Sequence, residues 1–137
     1  TMPNPFYVKT NFIDVRKDVY LKADNKFMLS HQEEILYLSD GEVNFYIRTK
    51  SYLRHFFPHS LLKGKKSDSY FETELFRETL TKALAYEGEY IFLQPNWFNF
   101  SNIPQLEVKI YTEYEEVFNY ENDRFSAASV KLLKKKH

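Results

Sequence analysis

The sequence predicts a mainly β fold, with a short helix after the central strands and a second helix at the C-terminal end. Aromatic residues make up 18% of the 137 residues, and such side chains suit the half-buried surface of a pleated sheet. Several short segments alternate apolar and polar residues with the period of two that is typical of strands. Because no linker, internal repeat or low-complexity tract interrupts the chain, residues 1–137 are expected to form one domain.

Composition and charge narrow the classes of function. Nineteen Lys and Arg balance nineteen Asp and Glu, so the formal net charge is zero and any electrostatic field must be local. The absence of cysteine excludes disulfides, thiolate zinc sites, iron–sulfur clusters and cysteine nucleophiles, and three glycines are too few for a glycine-rich phosphate loop. The sequence has no apolar run of the roughly 18 residues that a membrane span needs. We therefore expect a cytoplasmic protein with no membrane partner.

The first half of the chain is expected to consist of strands. Residues 15–21 alternate in part, and a turn separates them from residues 26–29, which together predict a hairpin. The apolar run Ile35 to Leu38 predicts a buried strand that ends at the turn Asp40-Gly41. Regular alternation from Val43 to Thr49 predicts the following strand.

The middle of the chain combines a basic loop with the clearest helix. Residues 52–70 are irregular and contain the basic stretch Lys63-Gly64-Lys65-Lys66, which predicts an exposed hairpin tip. Residues Glu74 to Leu84 place apolar side chains at helical spacing, with glutamate early and lysine late, as the helix dipole favours. These residues are therefore predicted to form a helix, and Thr73 directly precedes it.

The last third of the chain predicts further strands and a final helix. Residues 90–93 form an apolar strand, which residues 97–100 are expected to continue after an interruption. Regular alternation from Leu106 to Thr112 predicts a strand that pairs with Val117 to Tyr120 in a hairpin. A cap at Ser126 and the lysines that follow favour a C-terminal helix from Ala127 to Lys136.

The sequence offers little support for metal binding or catalysis. His55 and His59 have the spacing of two zinc ligands on a helix, but Pro58 lies between them and disfavours that helix. The acidic pairs Glu33-Glu34 and Glu115-Glu116 fall on predicted bends, where we expect them to act as solubilising charges. A G-x-S-x-G elbow is absent. We therefore expect a non-enzymatic protein without a metal ion or cofactor.

Three segments, taken in their order and spacing, carry a resemblance to a known family. Glu34 to Ser39 followed by Asn44 to Thr49 is similar to a strand pair with the pattern D-I-L-Y-I-E … N-Y-V-x-I-x-T. Residues 75–84 stand in the place of a helix with the pattern S-L-K-E-L-E-x-x-L. Residues 90–100 resemble the pattern F-I-R-V-H-R-S-Y-I-V-N-L with one residue fewer. From about residue 22 onward, the chain thus resembles the LytTR-type DNA-binding domain of bacterial response regulators.

The resemblance implies a fold, a function and a set of departures from the family. It implies an elongated stack of small β-sheets and a transcriptional regulator that reads DNA through loops between strands. The family's His-Arg pair and later Arg contact bases and phosphates, but here those places hold Gln94, Pro95 and Ala127. Gln94 keeps a donor and an acceptor, whereas Pro95 lacks an N–H and Ala127 has nothing to donate.

The resulting hypothesis assigns DNA contacts to polar and basic residues. The residues expected to face base edges are Asn44, Gln94 and Asn96. The residues expected on phosphates are Arg54, Lys63, Lys65, Lys66, Lys131 and Lys134. The expected partner is double-stranded DNA, with a homodimer left open, and favourable charge at a helix C-terminus is an equal alternative for Lys134. The alternative function is a LytTR-like scaffold that has lost its base-reading residues and acts as a protein–protein interaction module.

Overall fold

The structure, a computed structural model, describes residues 17–39, 43–54, 57, 73–96, 98, 100–121 and 129–137. Its centre is a four-stranded mixed sheet with the strand order β1-β2-β4-β3. The strands are β1 (Leu36–Leu38), β2 (Tyr90–Leu93), β3 (Tyr114–Tyr120) and β4 (Val130–Lys135). Strand β1 is parallel to β2, and β4 lies antiparallel between β2 and β3.

The described helices are α1 (17–27), α2 (Val43–Ile47), α3 (Glu74–Leu84) and α4 (Pro104–Glu113). Single 3₁₀ turns, Leu29–His31 and Phe100–Asn102, follow α1 and precede α4. More of the described residues are helical than extended, so the fold is mixed α/β and the prediction of a mainly β domain was too narrow.

The central strands β1 and β2 are buried on both of their faces, and the apolar residues of β4 are buried with them. Successive side chains of a strand point to opposite faces, and here alternate residues of β1, β2 and β4 join two separate apolar clusters. The first cluster contains residues of α3 and α4 together with Leu36, Leu38, Ile91, Leu93 and Leu133. The second contains residues of α1 and α2 together with Tyr37, Tyr90, Phe92, Val130 and Leu132. Helices therefore cover both sides, which explains the uninterrupted apolar runs of β1 and β2.

Three local predictions are confirmed. The buried strand expected over Ile35 to Leu38 is β1, and the apolar strand expected over residues 90–93 is β2. The helix expected over Glu74 to Leu84 is α3, with the same bounds. Its N-cap is Thr73, whose side chain accepts a hydrogen bond of 3.2 Å from the backbone N–H of Phe76.

Two strands predicted in the first half are wrong. Residues 17–27 form α1 rather than half of a hairpin, because Val19, Tyr20 and Ala23 lie within one helical turn and pack together in the second cluster. The strand predicted over Val43 to Thr49 is absent, because Val43–Ile47 form α2, whose buried residues Val43 and Ile47 are one turn apart. In both segments the helical spacing of the buried residues prevails over the apparent alternation.

The strand predicted over Leu106 to Thr112 is also wrong, because these residues belong to α4. Leu106 and Ile110 are buried at a spacing of four, whereas Val108 between them is 67% exposed. Pro104 at the first helical position is a start signal, because its missing N–H would have no partner there in any case. The strand predicted over Val117 to Tyr120 lies within β3, but its partner is β4.

The predicted C-terminal helix is replaced by β4 over Val130–Lys135. A strand is favoured here because Val130, Leu132 and Leu133 are buried between β2 and β3, so both faces of the segment are packed. Ser126 and Ala127 lie outside the described residues, and so does Trp97. Phe100 lies in a 3₁₀ turn rather than in a continuation of β2.

Other predictions fall on parts of the chain that the structure does not describe. These are the turn Asp40-Gly41, residues 58–70 of the segment expected to form a hairpin tip, and the histidines His55 and His59. Within the described ranges, no helix combines the length and the apolar character that a membrane crossing requires.

Replacing Thr73 by alanine is expected to lower the free energy of unfolding by about 1 kcal/mol, because the N–H of Phe76 loses its acceptor. Urea unfolding followed by circular dichroism measures this change. Thr73→Ser keeps a hydroxyl at the cap and is the control. An equal loss in the serine variant would show that the cap hydrogen bond is not the cause.

Candidate functional site

Gln94, which was expected to face DNA bases, lies in the interior. Its side chain has no exposed surface, and its Nε2 donates a hydrogen bond of 2.9 Å to the hydroxyl of Tyr20. Its backbone N–H donates to the carbonyl of Leu38 at 3.0 Å, just beyond the paired residues of β1 and β2. A contact between Gln94 and a base would therefore require the side chain to leave a buried hydrogen bond.

The other expected base and phosphate contacts that the structure describes, Asn96, Arg54, Lys131 and Lys134, do not lie together at one place. Asn44 lies in α2, but its side chain is not described, and Lys63, Lys65 and Lys66 lie outside the described residues. Asn96 is exposed in the turn after β2 and borders a cavity of about 530 Å³ with Phe98 and Phe100. Arg54 is exposed beside α3, where it borders a smaller cavity of about 110 Å³.

Lys131 and Lys134, the expected phosphate contacts on β4, lie beside carboxylates. Lys131 is 3.5 Å from Glu116, and Lys134 is 3.9 Å from Glu89. Other lysines also form ion pairs with carboxylates in different parts of the fold. These pairs are Lys22 with Asp18, Lys50 with Glu34, Lys109 with Glu113 and Lys135 with Glu87. The paired lysines are thus distributed over α1, α4, β4 and the segment before Ser51, and their charge is balanced locally.

A different place in the fold has the shape and chemistry of a binding site. A cleft of about 520 Å³ lies between the segment before β1 and the segment that joins α3 to β2. We define the acidic cleft by the lining residues Glu33, Glu34, Tyr52, Tyr86, Glu87 and Glu89. Its walls therefore combine carboxylates with aromatic rings.

Backbone pairing positions the two sides of the acidic cleft. Ile35 and Ser51 form a parallel bridge, in which the N–H of Tyr52 donates to the carbonyl of Ile35 at 2.9 Å. This bridge places Tyr52 beside the chain that carries Glu33 and Glu34. On the opposite side, Glu87 and Glu89 lie between the end of α3 and the start of β2. Because Leu36 of β1 pairs with Ile91 of β2 in parallel, the glutamates that precede both strands meet at one end of the sheet.

The tyrosines of the acidic cleft are fixed by hydrogen bonds to the main chain. Tyr52 donates its hydroxyl to the carbonyl of Lys82 at 2.9 Å, and its ring lies 4.8 Å from that of Tyr86 between centroids. Tyr86 is 2% exposed and donates to the carbonyl of Tyr90 at 2.5 Å. Tyr86 also stacks on Tyr114, with 6.2 Å between the ring centroids. The half-buried Tyr52 thus presents a ring whose position is set from several directions.

The four glutamates of the acidic cleft differ in how far their charge is balanced. Glu87 accepts a hydrogen bond of 2.6 Å from Lys135, and Glu89 lies 3.0 Å from His137 in addition to Lys134. The hydrogen bond from Lys135 lowers the pKa of Glu87, and the same bond raises the pKa of Lys135. Both groups therefore stay charged at neutral pH.

The negative charges of Glu33 and Glu34 are less fully balanced by nearby cations than those of Glu87 and Glu89. Glu34 is 3.4 Å from Lys50, a side chain that is 77% exposed. Glu33 is exposed and, among the residues that the structure describes, has no ion-pair partner. Within those same ranges, no three histidine, aspartate or glutamate side chains converge as metal ligands. The acidic cleft therefore contains two carboxylates, those of Glu33 and Glu34, whose charge is not fully balanced.

Sequence reasoning missed this site, although a signal for it exists. In the sequence, Glu33-Glu34 falls on a predicted bend and indicates only a solubilising pair, and no motif marks Glu87 or Glu89. Both groups directly precede an apolar run, and those runs are β1 and β2. Recognising the two runs as parallel neighbours would have placed the glutamates at the same end of the sheet.

Comparison of the chain with known protein families, curated proteins and solved structures found no match. The resemblance to LytTR-type domains stays a prediction. The structure itself shows a small mixed sheet with helices on both faces.

Replacing Gly88 by alanine is expected to lower the free energy of unfolding by about 1–3 kcal/mol. The reason is steric, because a Cβ at Gly88 would overlap the buried ring of Tyr86. Urea unfolding of Gly88→Ala, Tyr86→Ala and the double variant measures the coupling. In the Tyr86→Ala background, Gly88→Ala should lower the free energy of unfolding only slightly. An equal loss with and without the Tyr86 ring would contradict this account.

Stability is expected to fall as the pH rises above the ordinary tyrosine pKa of 10.0. Burial raises the pKa of Tyr37, Tyr86 and Tyr114, so the folded state binds their protons more tightly than the unfolded state. Their contribution to the free energy of unfolding is complete below pH 10.0. It is lost as the pH rises through the pKa values that these tyrosines have in the folded state. Urea unfolding at several alkaline pH values, with tyrosinate absorbance, measures this. Ionisation of every tyrosine near its ordinary pKa in the folded protein would contradict it.

Proposed function

We propose that this chain is a non-enzymatic interaction domain that binds a basic segment of another protein in the acidic cleft. The observation that supports the proposal is the concave arrangement of Glu33, Glu34, Glu87 and Glu89 around a tyrosine wall. The volume of about 520 Å³ lies in the range of ordinary ligand sites and accommodates one or two long side chains. The guest is therefore recognised by positive charge and by aromatic contact.

The charge balance inside the acidic cleft favours an incoming cation. Exposed ion pairs contribute about 0–1 kcal/mol, so exchanging Lys50 for a guest cation at Glu34 costs little. Glu33 gains a partner that it lacks among the described residues. A concave site also concentrates the field of its charges more than a flat surface does.

The position of the glutamates suits a peptide. Glu33 and Glu87 are exposed at the rim, while Tyr86 is buried at the inner end. A basic side chain can therefore enter the acidic cleft while the main chain that carries it remains outside. This geometry is the one expected for a docking segment rather than for an enclosed metabolite.

DNA binding by a transcriptional regulator with a LytTR-like stack of sheets is the second candidate function. The basic stretch Lys63-Gly64-Lys65-Lys66 supports it, because neighbouring lysines attract phosphates. The buried side chain of Gln94 and the carboxylates beside Lys131 and Lys134 weigh against it. The homodimer and the cytoplasmic location remain predictions made from the sequence.

Fluorescence anisotropy with a labelled basic peptide tests the proposal. The full chain should bind this peptide more tightly than an acidic peptide of equal length, and added salt should weaken the binding. Replacing both Glu33 and Glu34 by glutamine should lower the affinity about tenfold, since two exposed ion pairs are lost. The control replaces Glu115 and Glu121, two exposed glutamates outside the acidic cleft, by glutamine.

The outcomes separate the candidate functions. A similar loss in both double variants would show that overall charge, rather than the acidic cleft, attracts the peptide. No binding of the basic peptide at tens of micromolar protein would refute the proposal. Salt-dependent binding of a mixed-sequence DNA duplex, unchanged by Glu33→Gln and Glu34→Gln, would favour the second candidate.

A further inference from the structure

We infer that the acidic cleft selects arginine over lysine in the bound segment and that Tyr52 is the residue that determines this preference. The inference rests on the proposed function, because it concerns the guest of the same cleft. It is carried by the aromatic wall, which is an observation independent of the carboxylates. A ring face attracts cations, so the wall indicates the same class of guest as the charges do.

Tyr52 is held in one position before any guest arrives. Its hydroxyl donates to the carbonyl of Lys82 in the last turn of α3, and its ring packs at 57° against the buried ring of Tyr86. Its backbone is tied to Ile35 through the parallel bridge. Because the ring is already ordered, binding against it costs little conformational entropy.

A site lined by both an aromatic ring and carboxylates offers more to a guanidinium group than to an ammonium group. A guanidinium is planar, so it stacks on an aromatic ring while its N–H groups form two parallel hydrogen bonds to a carboxylate. Tyr52 and Glu34 line the same cleft and directly follow and precede the bridged residues Ser51 and Ile35. An ammonium is a compact and strongly hydrated point charge, which gains less from the ring.

The chain's own lysine at this site supports the distinction. Lys50 reaches Glu34 at 3.4 Å while its side chain stays 77% exposed, which describes a loose pair between point charges. An arginine that binds the ring and the carboxylate together makes contacts that Lys50 does not make. The guest therefore displaces Lys50 most effectively when it carries a guanidinium.

The test compares two labelled peptides of equal length and charge, one with arginine and one with lysine at the same positions. Anisotropy with the full wild-type chain should show about fivefold tighter binding of the arginine peptide. Tyr52→Leu should remove the preference, because the ring is lost. Tyr52→Phe should keep it, because the ring remains and only the hydrogen bond to Lys82 is removed.

Each outcome bears on one of the two proposals. Equal affinities of the wild-type chain for the two peptides would overturn the arginine preference and leave the proposed function standing. A preference that survives Tyr52→Leu would overturn the role of Tyr52. Failure of both peptides to bind would overturn the proposed function itself. The wild-type comparison needs no variant, so the inference stays testable even if Tyr52→Leu does not fold.

Discussion

Burial of both faces of β1 and β2 is the constraint on which the rest of the structure depends. Every residue of these two parallel strands is buried, and neighbours such as Tyr37 and Leu38 enter different clusters. A sheet of this kind needs a layer of helices on each side. Helices α1 and α2 supply one layer, and α3 and α4 supply the other.

The sequence contained strong local signals for some elements and ambiguous ones for others. Strands β1 and β2 are continuous apolar runs, and α3 has both helical spacing and a capping Thr73, so each could be predicted. In α4, the apolar residues Leu106, Val108 and Ile110 fit a period of two as well as a helix. Packing decides between them, because the structure buries the residues four apart and leaves Val108 exposed. No short-range pattern contains that information.

The candidate site could be predicted only in part for a related reason. Glutamates at the start of β1 and β2 were visible in the sequence, but their meeting depends on the parallel pairing of strands more than fifty residues apart. The position of Tyr52 depends on the bridge between Ile35 and Ser51, which has no motif. Gln94 was wrongly included among the site residues. It is polar and lies in a predicted loop, but in the fold it is a buried partner of Tyr20.

The charges of the chain are balanced more completely along β4 than at the acidic cleft. Along β4, Lys131, Lys134 and Lys135 each lie beside a glutamate of β3 or of the segment before β2, so these cations are balanced within the fold. Such pairing leaves them little long-range field with which to attract DNA. At the acidic cleft the balance is incomplete, because Glu34 is loosely paired and Glu33 has no ion-pair partner within the described ranges. Since this incompleteness coincides with a concave aromatic wall, the acidic cleft is where a chain without net charge would attract the cationic partner that we propose.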